Sequence, residues 1–246
     1  YVMPGFFLAK AVRELIQDAD WSKVEGLILM HHGIFTFGET AQESYERMIQ
    51  LVTEAEDTLA NRGGGPEVVA LAEAGLDPTD LRRLAAVRRA VSRARGRAVL
   101  ALTETSPEAA GFASRPDAGD LATRGTLTPD HSIRMKRAPV VLGKDGAIAA
   151  FAIDYLESHS RLQSGQPALD PAPRWAVWPG KGTIAFDTTL AGAGIITDIA
   201  RHTIRTIQQA EAAGGWTALP ERDLFEIEHW DLEQAKLRSA PAPKPL

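Results

Sequence analysis

The chain has 246 residues, a net charge of -5 and no cysteine. That excludes disulfides and thiolate metal sites and leaves no broad electrostatic reason to bind nucleic acid. Apolar residues at 44% fit an ordinary folded protein with a sizeable core, and no apolar run approaches the ~20 residues needed to span a membrane. A reducing cytoplasm is compatible with the lack of cysteine. The first residue is tyrosine, and "YVMPGFFLAKAVRELI" has neither the basic start nor the cleavage site of a signal peptide. The expectation is a piece of a longer protein, and Pro- and Ala-rich residues 238–246 read as a linker or tail.

Residues 6–17 carry helical spacing, with Phe7, Ala11, Val12 and Leu15 on one side. Residues 24–31, "VEGLILMH", read as a short apolar strand closed by a glycine turn. Thr40 with Glu43 predicts a capping box opening a helix, whose apolar stripe is Tyr45, Met48, Ile49, Val52 and Ala55. "NRGGGP" at 61–66 is a break. Residues 78–97 predict an amphipathic helix capped by Asp80, with Leu84, Val87, Val91 and Ala94 on one face and arginines at 82, 83, 88, 89, 93, 95 and 97 elsewhere. "RAVLALTET" suggests a strand, followed by a polar stretch to residue 123. Residues 138–153 read as strand, turn and strand; "QSGQPALDPAPR" as loop; "WAVWPG" as strand; and 189–211 as a helix with Ile196, Ala200, Ile204 and Ile207 inward.

A weak repeat sets "HHGIFTFGET" against "GKGTIAFDTT": Gly33 falls on Gly182, Phe37 on Phe186, Thr40 on Thr189, and His32 on Lys181. Both copies run from an apolar strand through a glycine turn into a long helix.

His31 and His32 invite a metal reading. Adjacent strand residues face opposite sides, so one of the two at most serves a shared site. A catalytic divalent ion needs about three protein ligands, and histidines 131, 159, 202 and 229 show no close ligand spacing. From the residues alone, a packed or surface histidine is the better reading, and these residues do not encode a self-sufficient metal centre.

Two stretches, "YVMPGFFLAKAVRELI" and "LILMHHGIFTFGETAQESYERMIQLVTEAEDTLA", resemble the C-terminal half of the class II aldolase/adducin fold. "RGTLTPDHSIRMKRAPVVL" and "ALPERDLFEIEHWDLEQAKL" are similar to a subgroup of bifunctional rhamnulose-phosphate aldolase/short-chain alcohol dehydrogenases. The resemblance covers most of residues 1–55 and 124–237. It implies an α/β fold with a class II aldolase-like central β-sheet flanked by helices; the internal repeat, if real, makes the second lobe a degenerate copy. The implied divisions are 1–62 for the aldolase core, 63–123 for the Arg-rich helix and connecting segment, 124–237 for the second lobe and 238–246 for the tail.

The resemblance also implies roles. His32, before the glycine, matches a zinc ligand; Tyr1 matches a tyrosine that donates a proton to the aldehyde. The remaining ligands, a His-x-His pair, and the carboxylate base fall outside these residues, as does an NAD-binding dehydrogenase domain; no G-x-G-x-x-G occurs. The implied reaction is zinc-assisted retro-aldol cleavage of a ketose 1-phosphate to dihydroxyacetone phosphate and an aldehyde. A cytoplasmic homo-oligomer acting on a small sugar phosphate, without nucleic acid or membrane, is expected, inactive as these 246 residues alone. The adducin branch supplies the alternative, a non-catalytic interaction module.

"TPDHSIRMK" has Thr128 as a cap and Pro129 at the first helical position. His131, Arg134 and Lys136 there are candidate phosphate or substrate contacts; a capped helix with solvated charges is the plainer reading. The Arg-rich helix fits a solvated face, or packing on an acidic neighbour, better than RNA binding, since aromatics are not interleaved. "DLFEIEHWDLEQAKL" reads as a docking arm. No G-x-S-x-G marks a hydrolase nucleophile.

Overall fold

The computed structural model describes residues 1–30, 32–63, 75–143, 145–163 and 165–238. They form mixed α/β structure divided into two compact units, Tyr1–Gly64 and Gly65–Leu246. Among the described residues the strands make two separate sheets, one in each unit.

The first unit contains α1 (Phe6–Ile16), β1 (Gly26–Leu29), β2 (Gly33–Thr36) and α2 (Ala41–Asn61). β1 and β2 are an antiparallel hairpin running from Gly26↔Thr36 to Leu29↔Gly33. Thr40 caps α2 as expected, its hydroxyl accepting the Glu43 N–H, while the Glu43 carboxylate accepts from Glu39 N–H at 2.8 Å. The apolar stripes are not covered: Phe7 and Leu15 on α1, and Tyr45 and Ile49 on α2, are exposed, and neither helix has a buried residue.

The second unit begins with α3 (Pro78–Arg95) and β3 (Leu100–Glu104). Asp77, not Asp80, is the N-cap of α3, because its side chain reaches the N–H groups of Thr79 and Asp80; Asp80 sits three residues on and completes the capping box. The polar stretch to residue 123 holds α4 (Pro107–Ser114) and α5 (Ala118–Thr123). A 3-10 turn at Pro129–His131 leads into α6 (Ser132–Met135), and Thr128 makes no side-chain cap.

β4 (Val140–Val141) follows, then α7 (Ala147–Leu162). Residues 147–153, expected as a strand, are therefore the first half of a helix. Ala-rich sequence favours that state, and the helical period closes only when Tyr155, Ser158 and His159 are included. β5 (Trp175–Trp178), β6 (Gly182–Asp187), α8 (Leu190–Ala212), α9 (Glu221–His229) and α10 (Asp231–Arg238) complete the unit.

The sheet order is β3-β6-β5-β4, with β4 parallel to β5 and the other pairs antiparallel. Alternation sends side chains to both faces. Trp175, Val177 and Ala185 join Phe112, Leu121, Ile196, Ala200, Ile204 and Ile207 on one side. Ala176, Trp178, Ile184 and Phe186 join Val91, Val140, Leu142 and Ile148 on the other. With helices on both faces, β5 is buried along its whole length.

The arginines of α3 divide in two. Arg82, Arg83, Arg88, Arg89 and Arg93 are exposed and Arg95 is half-buried, but three of the six are engaged with other parts of the unit. Arg83 lies over the Trp178 ring, Arg88 donates to the Val99 carbonyl, and Arg95 sits between Asp170 and Asp187. The expected docking arm docks within its own unit: Phe225 and Ile227 are buried as α9 packs on α6 and α7.

Candidate metal-binding turn and a buried lysine

The β1–β2 turn is closed by the His32 N–H donating to Leu29 O at 3.1 Å. Gly33 follows with φ +150, a conformation that favours glycine, and open space around it. Beyond the hairpin, β2 is tied to α2. Thr36 Oγ1 donates to Ser44 O, Ser44 Oγ donates back to Thr36 O, and Arg47 donates to Phe37 O at 2.7 Å. Trp21 packs edge-on to Phe37 at 5.2 Å.

These contacts hold the hairpin whose turn carries His32. Its imidazole is exposed, tilted against Phe35 with ring centroids 5.7 Å apart. Among the described residues no hydrogen bond engages its ring nitrogens. As a donor the ring suits a borderline cation. It is one donor, however, and no group of three or more His, Asp or Glu close enough to hold a metal occurs among the described residues. His31 lies outside them. Tyr1 precedes α1, half its surface exposed, its hydroxyl 3.8 Å from Met3 Sδ.

The three candidates around residue 131 lie in the second unit. His131 is half-buried and lines a cavity of about 10 Å³ with Thr126, Arg137 and Thr203, room for roughly one water. Arg134 is half-buried.

Lys136 turns inward, 2% exposed, its ammonium 2.8 Å from Glu228 Oε1 and 4.0 Å above the Tyr155 ring. Tyr155 donates its hydroxyl to the same carboxylate oxygen at 2.9 Å. Burial lowers the Lys136 pKa against the pull of Glu228, and burial with the neighbouring Glu228 charge raises that of Tyr155. Lys136 has φ 61 and ψ 174, a region almost confined to glycine. The ion pair therefore holds a strained backbone in place, and the ammonium is committed to Glu228 rather than offered to a soluble phosphate.

Glu228 and Tyr155 carry no local sequence signal for this pairing, since Lys136 and Glu228 are 92 residues apart. A second network, Arg95 and Arg174 with Asp170 and Asp187, was equally hidden. There, pairing with Arg174 and Arg95 holds the Asp170 carboxyl below its ordinary range, although burial opposes the shift.

Comparison with known proteins agrees with both units. The family described as "Aldolase class II, second domain" matches residues 79–237, and "Class II Aldolase and Adducin N-terminal domain" matches residues 3–59. The chain belongs to the class II aldolase family. It is also similar to "Uncharacterized oxidoreductase YuxG" of Bacillus subtilis (strain 168), with 27% identity over 263 aligned residues. That alignment covers 98% of this chain and 37% of the relative, so the chain spans little more than a third of the curated relative it matches. No solved structure matches. No helix of the described residues is long and apolar enough to cross a membrane.

Proposed function

We propose that this chain is the aldolase part of a metal-dependent sugar-phosphate lyase that cleaves a ketose 1-phosphate of the rhamnulose type to dihydroxyacetone phosphate and an aldehyde. The observation that carries the reading is the exposed His32 imidazole on a glycine turn, within a chain whose two units both match class II aldolase families. His32 supplies one ligand, and Tyr1 gives the proton to the aldehyde oxygen. A divalent cation, zinc by preference, supplies Lewis-acid polarisation of the substrate oxygens when bound. The remaining ligands and the base come from outside these 246 residues. So does a nicotinamide-dependent domain, a reading that the relative's name as an oxidoreductase favours. His131 and Arg134 are the substrate contacts to test in the second unit, with Lys136 behind them.

The second lobe is read as a degenerate copy of the first, with Lys181 in the place of His32. The assembly is a cytoplasmic homo-oligomer. The second reading is a non-catalytic adducin-like module, which the match of residues 3–59 to a family that includes adducin also supports.

Metal content and turnover of the full-length protein decide between them. Near-stoichiometric zinc and release of dihydroxyacetone phosphate are expected, both lost in His32→Ala while the fold is kept. A wild-type protein that binds no metal and cleaves no ketose phosphate leaves the module reading standing.

A further inference from the structure

The helical pair α9–α10 is joined to α8 through Gly214 and Gly215, at φ +127 and +104. Its docking surface carries two buried imidazoles. His159, near the end of α7, and His229, the last residue of α9, are 8% and 6% exposed with ring centroids 5.4 Å apart. Phe225 stacks on His229 at 4.0 Å and lies 5.8 Å from His159.

Each ring is turned by a carbonyl. His229 Nδ1 is 3.0 Å from Phe225 O, and His159 Nε2 is 3.0 Å from Gln166 O. A carbonyl only accepts, so those nitrogens carry the protons of the neutral rings. That leaves His229 Nε2 as a bare acceptor, buried and without a hydrogen-bond partner among the described residues.

We propose that this histidine pair is an acid-sensitive latch: protonation of His229 against the His159 ring releases α9–α10 from α7, pivoting at Gly214–Gly215. A proton on His229 Nε2 creates a buried N–H with no acceptor and a cation beside His159. Lys136, from the turn after α6, adds a like charge; Glu228, the neighbour on α9, opposes it. The other charged groups at this contact are already paired. Glu221 binds Ser158 and Arg161, and Arg137 binds Asp154; Glu233 on α10 binds Lys236 through Oε1, while its Oε2 is buried without a hydrogen-bond partner among the described residues.

Burial holds the His229 pKa below the ordinary 6.5. Between 6.5 and that depressed value the released state binds more protons than the docked one, so docking weakens as pH falls through this window. Above it both states are neutral and the latch is closed. Glu221, whose pKa is held low chiefly by Ser158, is protonated only at more acid pH, so its step separates from the histidine step.

Hydrogen exchange on the full-length protein from pH 7.5 to 5.0, corrected for intrinsic rates, tests the latch. Expected is a loss of protection of at least tenfold confined to residues 221–238, while β5, β6 and α8 stay protected. His229→Asn should abolish the step. Because losing the stacked ring can undock α9 at every pH, the His229 imidazole is also titrated by NMR in the unaltered protein, and its midpoint should coincide with the loss of protection. Protection that is flat across this range, or that falls together with the sheet, overturns the latch, as does a step that persists in a folded His229→Asn.

Discussion

The β1–β2–α2 and β5–β6–α8 segments have the same local plan and different surroundings. Each hairpin ends on a pair to glycine, Leu29↔Gly33 and Trp178↔Gly182. Seven residues after each glycine stands an extended threonine, Thr40 and Thr189, whose hydroxyl caps the following helix. The burial is opposite. β1, β2 and α2 contain no buried residue, whereas β5 is wholly buried and α8 buries eight side chains. The residue before the glycine follows suit: His32 is exposed, and Lys181 is ion-paired to Asp80 at 2.7 Å. Turn and cap are properties of ten residues. Burial depends on neighbours, here β3 against β6 and helices on both sheet faces.

The two glycines give the widest split between the segments. A Cβ on Gly182 would lie 2.0 Å from the Glu104 carbonyl oxygen, which belongs to paired backbone and cannot withdraw. Gly182 also has φ +134. Gly182→Ala is expected to cost about 4 kcal/mol, overpacking added to backbone strain. Gly33→Ala meets nothing within 4 Å and suffers only the strain of φ +150, about 1 kcal/mol. Urea unfolding of both variants checks this; equal losses would mean that the close approach of β3 to the β6 turn is not what separates the segments.

That split also marks how far sequence reasoning reached. The glycine turns, the Thr40 cap and the inward stripe of α8 are readable, because each rests on residues within a turn or two of one another. Residues 105–123 were not. In α4, Ala109, Ala110, Gly111, Phe112 and Ala113 are all buried in succession, and a helix covered all round shows no amphipathic period. The first half of α7 is ambiguous for a related reason, being short, apolar and Ala-rich. At the site, the His32 turn was legible as a motif. The pairing of Lys136 with Glu228 and Tyr155 exists only after the chain has folded.

The helices after the two hairpins sharpen the contrast at lower amplitude. Ile204 of α8 is 1% exposed and lies in the core beside Ile196 and Ile207. Ile204→Ala should cost about 3 kcal/mol, the lost transfer energy plus the cavity left behind. Ile49 of α2, 49% exposed, should lose about 0.5 kcal/mol on the same change, the range of surface substitutions. A loss at Ile49 approaching that at Ile204 would show that α2 is covered in solution by a surface outside the first unit.

The smallest effect falls where the segments agree. The Thr40 hydroxyl accepts from Glu43 N–H at 3.1 Å and the Thr189 hydroxyl from Gly192 N–H at 3.0 Å. Thr40→Ala and Thr189→Ala should each remove about 1 kcal/mol, and serine should restore most of it in both. The consequence should differ even so. α8 is held by its packing, so its lost cap lowers the stability of the whole second unit with little fraying. α2 has no buried residue to hold its first turn, so the same loss should appear as faster exchange at residues 43–46 than at 192–195. Equal fraying at both ends would mean that burial along α8 does not reach its first turn, and the two segments would then differ less than their exposure implies.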